Sequence, residues 1–387
     1  VILNDTGLAC RSAAGRSGQA EHFITVDAPG DAPLARQLDV VAQRYAEALQ
    51  TLNLAPESAV FRRIYVSDAA NQAEQVRESS VFREPLDCPV AVSLVQQPPL
   101  RDSKVAMFAY HLDGMSAARK TEVAPGHVLV RNGDLGHLWS TGLCTRDTAG
   151  PSDAAAQTRD VFANLTGALA AHGARLADQC VRTWIYVRDV DVFYQDMVDA
   201  RTDLFDREGL RRDTHYLAST GIEGACAHRY DVVLMDAYSV LGLRPEQVSY
   251  LNDFDRLCPT ADYNVTFERG TRVAYADRAH HFISGTASID ARGDVVHVGD
   301  VGRQFSYALD NVDALLRSGG ATLGDMTHLL IYLRDPSDHA LIEAMAGERF
   351  PGLPRLILRG AVCRPEWLVE VEGIAVVPND APGLPAF

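Results

Sequence analysis

Arg63-Ile64-Tyr65-Val66-Ser67-Asp68, Trp184-Ile185-Tyr186-Val187-Arg188-Asp189 and Leu330-Ile331-Tyr332-Leu333-Arg334-Asp335 are the stretches on which the fold turns. Each is a short apolar run that ends at a polar turn, the pattern of a buried strand. The surroundings repeat as well. A long amphipathic segment precedes each run, at Leu34–Leu52, Ala154–His172 and Arg303–Ser318. In the third, Phe305, Leu309, Val312, Leu315 and Leu316 share one face at helical spacing, and Gly319-Gly320 stops it. A second helical segment follows each run, at Gln72–Phe82, Val192–Phe205 and Asp338–Phe350. The units open on His22-Phe23-Ile24-Thr25, His137-Leu138-Trp139-Ser140 and His281-Phe282-Ile283-Ser284. They close on paired β-rich runs in Val90–Leu112, Tyr216–Tyr238 and Leu356–Val377, with turns expected at Pro98-Pro99, Gly221–Gly224 and Arg364-Pro365-Glu366. The order strand, helix, strand, helix, strand, strand, met three times, predicts an α+β protein of three fused modules, each a sheet with its helices on one face. The expected boundaries are an N-terminal tail over 1–19, modules over 20–120, 121–245 and 263–378, a connecting loop over 246–262, and a C-terminal tail over 379–387.

The 387 residues suffice for such an arrangement, and 47% hydrophobic content can build a large core. The net charge of −15 opposes binding to nucleic acid or to an anionic membrane surface. No stretch reaches the ~20 apolar residues that a membrane helix needs, and the first residues show no signal-peptide pattern. The seven cysteines are odd in number, scattered and without a CxxC pair, which argues against a disulfide framework or zinc knuckle and makes the cytoplasm the expected compartment. The twelve histidines show no HxxxH, HExxH or facial-triad spacing. Gly221-Ile222-Glu223-Gly224 lacks the GxGxxG spacing of a dinucleotide site. No cofactor and no metal are expected from these patterns.

The third unit resembles the YjgF/Rid family through Phe282-Ile283-Ser284-Gly285-Thr286, Gly299-Asp300-Val301 and Leu368-Val369-Glu370-Val371-Glu372-Gly373-Ile374-Ala375. Members of that family are small single-module homotrimers with sites at the subunit interfaces. The resemblance therefore implies three YjgF/Rid-like (chorismate-mutase-like) modules forming a pseudo-trimer, monomeric as a chain. Residues 20–377 further resemble chorismatases, through Val95-Gln96-Gln97-Pro98-Pro99-Leu100, Val181-Arg182-Thr183-Trp184, Ser219-Thr220-Gly221-Ile222, Ile283-Ser284-Gly285-Thr286-Ala287 and Cys363-Arg364 ahead of Glu370. Residues 240–262 and the N-terminal tail depart from that pattern. This resemblance implies an enzyme that releases pyruvate from chorismate without a cofactor.

Glu370 and Glu372 lie two apart on a strand and so share a face. By pattern alone that face is as readily a solvated polar one. The resemblance makes Glu370 the acid that protonates the enolpyruvyl methylene carbon, in which case burial and a neighbouring carboxylate would keep its proton on. Cys363, expected on the preceding strand, reads as packing unless the resemblance is used. By similarity, Gly285 and Cys363 together imply the 3-hydroxybenzoate-forming type, with Ala287 beside them. The resemblance gives Arg182 and Arg269 as forks for the substrate carboxylates, and Arg355 as the position where simple Rid proteins bind a carboxylate. A surface salt bridge is the alternative for each. Thr220 and Gly221, expected in a turn, could hold a carboxylate or ring hydroxyl, or be turn chemistry only. His280 and His281 read as structural. The competing functions are a chorismate hydrolase giving a dihydroxycyclohexadiene carboxylate, a Rid-like imine deaminase using Arg355 with Glu370, and a non-catalytic protein that binds a small metabolite.

Overall fold

The computed structural model describes residues 4–5, 7–28, 30–145, 153–263 and 265–387. Three six-stranded sheets are formed. The first holds β1 (Asn4–Asp5), β2 (Leu8–Ala14), β3 (Ala20–Asp27), β4 (Ala59–Val66), β5 (Ala91–Gln96) and β6 (Val105–Leu112). The second holds β7 (Lys120–Ala124), β8 (His127–Asn132), β9 (Leu135–Leu143), β10 (Cys180–Val187), β11 (Ala218–Glu223) and β12 (Val233–Leu241). The third holds β13 (Val248–Tyr250), β14 (Gly270–Ala274), β15 (Arg278–Thr286), β16 (Met326–Leu333), β17 (Arg355–Arg359) and β18 (Val369–Pro378). The strand orders β2-β3-β6-β4-β5, β8-β9-β12-β10-β11 and β14-β15-β18-β16-β17 are one topology used three times. The three repeated runs are β4, β10 and β16, each parallel to the following strand and antiparallel to the closing one.

Helices α1 (Leu34–Thr51), α2 (Ala69–Glu78) and the short α3 (Ser80–Arg83) belong to the first unit. The second has α4 (Ala154–Ala170), the short α5 (Leu176–Gln179) and α6 (Val190–Glu208), and the third has α7 (Val301–Ser318) and α8 (His339–Arg349). Asp68, Asp153 and Asp300 cap α2, α4 and α7 by accepting from a backbone N–H of the first turn. In α7 all five residues of the apolar stripe are buried. Among the described residues no helix is long and apolar enough to cross a membrane.

The inner sheet faces join in one core, in which Phe23, Tyr110, Phe61, Trp139, Tyr238 and Phe282 form a chain of ring contacts through all three units. Arg63 of the first unit crosses into the second, pairing with buried Asp236 at 2.8 Å and lying over the Trp184 ring. This closed arrangement is what three modules of a pseudo-trimer require.

Several expectations need correction. The 1–19 segment is no tail over its described part, because β2 pairs along its whole length with β3. The 246–262 segment contributes β13 to the edge of the third sheet. The C-terminal segment ends in a buried Phe387 whose ring meets His137, Tyr275 and His280. Thr220 and Gly221 lie within β11, opposite Trp184 and Ile185, and the turn comes later. Cys363 lies in the loop between β17 and β18. The opening of the second unit is displaced by one residue: Phe23, Trp139 and Phe282 face Tyr110, Tyr238 and Ile374, so Leu138 and not His137 corresponds to His22 and His281. On a strand one residue exchanges the faces. His137 accordingly turns inward to the Tyr238 hydroxyl at 2.6 Å.

Candidate active site

A narrow recess, about 460 Å³ with its mouth included, opens between the second and third units. The second unit supplies Tyr194 and Arg201 from α6 and Thr220 and Gly221 from β11. The third supplies Arg269, Gly285, Ala287, Cys363 and Glu370. Backbone contacts fix the two sides to one another. Ser219 N–H donates to Ser284 Oγ at 2.9 Å, and Gly285 N–H donates to Thr220 Oγ1 at 2.8 Å. The register of β15 against β18 slips between Ile283 and Thr286. That bulge leaves Gly285 out of the regular pleat and beside Glu370. A Cβ at residue 285 would lie 2.7 Å from the Glu370 carboxyl carbon and 3.1 Å from Thr220 Cγ2, so only glycine lets this carboxyl lie where it does.

The two glutamates of β18 are treated differently. Glu372 is buried and accepts from four donors: Arg182 Nη2 at 2.6 Å, Trp184 Nε1 at 3.1 Å, Tyr332 OH at 2.8 Å and the Thr220 hydroxyl. Glu370 is 6% exposed, and its Oε1 has no hydrogen-bond partner. Burial first, and the nearby Glu372 carboxylate second, push the Glu370 carboxyl up to about 8, with Arg182 and Arg269 opposing. The result is a carboxylic acid that keeps its proton at neutral pH and faces open space. Burial, with the Glu370 charge second, pushes the Cys363 thiol up to about 12, so it is a proton-bearing thiol rather than a thiolate.

Two guanidiniums lie in this recess without a carboxylate in salt-bridge range among the described residues. Arg269 donates to the Cys258 carbonyl at 3.1 Å, and its Nε is unpartnered. Arg201 donates through Nε to Thr266 Oγ1 at 3.2 Å, and its Nη2 is unpartnered. Both residues are buried. A buried cation without a counter-charge is costly, so such a pair suits an anionic ligand.

Of the expected residues, Glu370, Cys363, Arg269, Thr220, Gly221, Gly285 and Ala287 come together here. Arg182 does not face the recess. It lies behind it, committed to Glu372 and Thr220. The Thr220 hydroxyl is likewise engaged, so Thr220 positions Glu372 and the bulge. Gly221 leaves room for Tyr194, whose Cε2 would sit 3.0 Å from a Cβ there. Arg355 is in a different cleft, between the first and third units, where it pairs with Glu343 at 2.8 Å. Arg201 and Tyr194 were not anticipated. The signal for Arg201 is legible in α6: it falls four residues from both Met197 and Phe205, a charge on the buried stripe of the helix.

The pseudo-symmetry explains why one cleft carries this arrangement. Tyr65, Tyr186 and Tyr332 occupy corresponding places, and the residues opposite them on the closing strands are Ala106, Leu234 and Glu370. Only the third unit has an acid there.

A family model described as endoribonuclease L-PSP matches residues 271–377. The 3-aminoacrylate deaminase RutC of Acinetobacter baylyi is 33% identical over 98 residues, which cover 25% of this chain and 78% of that protein. A crystal structure of a chorismatase superimposes with a TM-score of 0.63 at 18% identity, covering 96% of this chain and 100% of that one, so the whole three-unit fold is shared. The structure of RidA from an Antarctic Psychrobacter is 18% identical, covers 33% of this chain and 99% of its own, and has a TM-score of 0.29. With a third unit that matches the family model and a RutC relative covered over most of its length, the chain belongs to the endoribonuclease L-PSP family, the YjgF/Rid-like proteins.

Proposed function

We propose that the protein is an enzyme that releases pyruvate from chorismate and forms 3-hydroxybenzoate at the recess between its second and third units. The observation that carries this reading is the pairing of one proton-bearing acid, Glu370, with two buried guanidiniums that have no carboxylate in salt-bridge range among the described residues, Arg201 and Arg269. Chorismate has two carboxylates and an acid-labile enol ether, so the two forks and the acid match its three chemical features. The fold shared with a chorismatase over 96% of the chain agrees with it.

In this mechanism the Glu370 proton goes to the methylene carbon of the enolpyruvyl group, giving an oxocarbenium ion. The adjacent ring hydroxyl attacks the ether-bearing ring carbon, the C–O bond breaks, and pyruvate leaves as the ketone. Transfer of the hydroxyl proton to the Glu370 carboxylate completes an epoxide and restores the acid. Opening of that ring, with the Cys363 thiol donating to the epoxide oxygen and the ring C–H proton passing to the thiolate so formed, gives the aromatic product and restores the thiol. No water is consumed: chorismate becomes pyruvate plus hydroxybenzoate. Gly285 gives the ring room to approach β15. The deaminase reading would need Arg355 beside Glu370. That arginine pairs with Glu343 in another cleft, which weighs against it.

The test is incubation of the purified chain with chorismate, with pyruvate and aromatic products measured together. Many equivalents of pyruvate with matching hydroxybenzoate are expected. Tight chorismate binding without pyruvate, or clearance of 2-aminoacrylate with chorismate left intact, would overturn the proposal.

A further inference from the structure

The cleft between the first and second units corresponds to the candidate active site but carries different side chains. It is wide and open, about 1500 Å³ with its mouth included. Leu234 stands in the place of Glu370, and Gly142, at a register slip of β9, stands in the place of Gly285. Two cysteines line it. Cys144 lies just past β9, and Cys226 lies in the loop between β11 and β12 that corresponds to the loop bearing Cys363. With Asp231 they form a cluster in which no two ligand atoms are more than 4.8 Å apart. Cys226 Sγ is 3.9 Å from Asp231 Oδ2.

We infer that Cys144, Cys226 and Asp231 bind a thiophilic divalent cation of the zinc type, with the fourth coordination position open to this cleft. A tetrahedral centre with Zn–S of about 2.3 Å and Zn–O of about 2.0–2.2 Å places S···S at roughly 3.8 Å and S···O at roughly 3.5 Å. Cys226 Sγ and Asp231 Oδ2, at 3.9 Å, are within about 0.4 Å of that separation, and the other two pairs, within 4.8 Å, are no more than about 1.3 Å from it. Two thiolates with one carboxylate are a donor set for zinc rather than for calcium or magnesium. The supporting contacts are those of a held site. Thr145 Oγ1 donates to the other carboxylate oxygen of Asp231 at 2.6 Å, which orients the ligand. Arg188 ties the loop by donating to the carbonyls of Cys226, His228 and Asp231 at 3.1–3.3 Å. The chain's net charge of −15 favours a cation. Binding replaces two S–H protons, so one metal ion bound to the two thiols releases two protons to solvent and the affinity rises with pH. Cys144 and Cys226 are 82 positions apart in the chain, which hides the pair from any spacing pattern.

The experiment uses the full chain stripped with a chelator and titrated with Co²⁺, then competed with Zn²⁺. One equivalent of Co²⁺ is expected to give a thiolate-to-cobalt charge-transfer band and tetrahedral d–d bands, both abolished by one equivalent of Zn²⁺. Cys144→Ser and Cys226→Ser should each weaken binding at least about 100-fold, and Thr145→Val about 10-fold, while Cys258→Ser leaves the spectrum unchanged. The thermal transition of each metal-free variant, compared with the metal-free parent, separates lost ligation from lost folding. Absence of a thiolate band in the parent chain, retention of the band in the Cys144→Ser/Cys226→Ser double variant, or a Cys144–Cys226 disulfide that re-forms in air in the presence of Zn²⁺ would each overturn the inference.

Discussion

Glu370→Gln tests the acid in two independent ways. The substitution keeps the shape of the side chain and removes its only dissociable proton. In the folded chain the carboxyl is held at about 8, against an ordinary 4.5. At about 1.4 kcal/mol per pH unit, that corresponds to a difference on the order of 5 kcal/mol between its two protonation states. Between pH 4.5 and 8 the unfolded chain has given up this proton while the folded chain still holds it. The contribution is therefore fully present below 4.5, falls as pH rises, and is lost once pH passes the folded value. From pH 5 to pH 8 the stability of the parent relative to the Gln variant should drop by on the order of 3 kcal/mol. Denaturant unfolding of both proteins at the two pH values measures it. In parallel, pyruvate release should fall by about 10²-fold or more in the variant. The parent's rate should decline above about pH 8, as the acid loses its proton. A variant with near-normal turnover, or a stability difference that does not change between pH 5 and 8, would refute the assignment of Glu370 as a protonated acid.

Replacing either recess guanidinium by lysine, Arg201→Lys or Arg269→Lys, removes a planar fork but keeps the charge, and should raise KM for chorismate by about 10-fold or more, whereas Arg355→Ala should leave it unchanged. The double variant Gly285→Ala/Cys363→Ala should keep pyruvate release but divert product from 3-hydroxybenzoate towards a dihydroxycyclohexadiene carboxylate. Chromatography of the products decides it, and an unchanged hydroxybenzoate yield would reduce both positions to packing. Arg182→Ala leaves Glu372 buried without its cation and should destabilise the chain by about 3–5 kcal/mol in denaturant unfolding. Sedimentation should give a single chain in solution, because the inter-unit faces are already covered within it; an obligate trimer of full-length chains would contradict that.

The threefold repeat was legible because it is written in local periodicity. Apolar runs such as Leu330–Leu333 become strands and stripes such as Phe305–Leu316 become helix faces whatever lies elsewhere, since burial of one face is a demand each element makes by itself. That Glu370, Gly285 and Cys363 belong together was expected only through the family resemblance, since by pattern alone Cys363 reads as packing and the Glu370–Glu372 face as a solvated one. What the linear pattern could not assign was the partner of each charge. Arg182 and Arg201 are both arginines on apolar elements, but Arg182 meets Glu372 from a position 190 residues away, while Arg201 meets only the Thr266 hydroxyl and keeps a buried, unpartnered Nη2 at the recess. One is thereby a structural counter-ion, and the other has no carboxylate in salt-bridge range among the described residues. The one-residue displacement of the second unit escaped for a related reason. His137-Leu138 matches the sequence of its counterparts, but the faces of β9 are set by its pairing with β12. Likewise β2 was invisible as a strand until its partner β3 was in place, for a strand draws its ladder hydrogen bonds from its neighbour rather than from its own residues. The sequence by itself determined the elements and their threefold order. The docking of the units determined which cleft holds the acid, which arginines have no carboxylate beside them among the described residues and where the two cysteines meet, because electrostatic pairing and burial are properties of groups brought together across the fold.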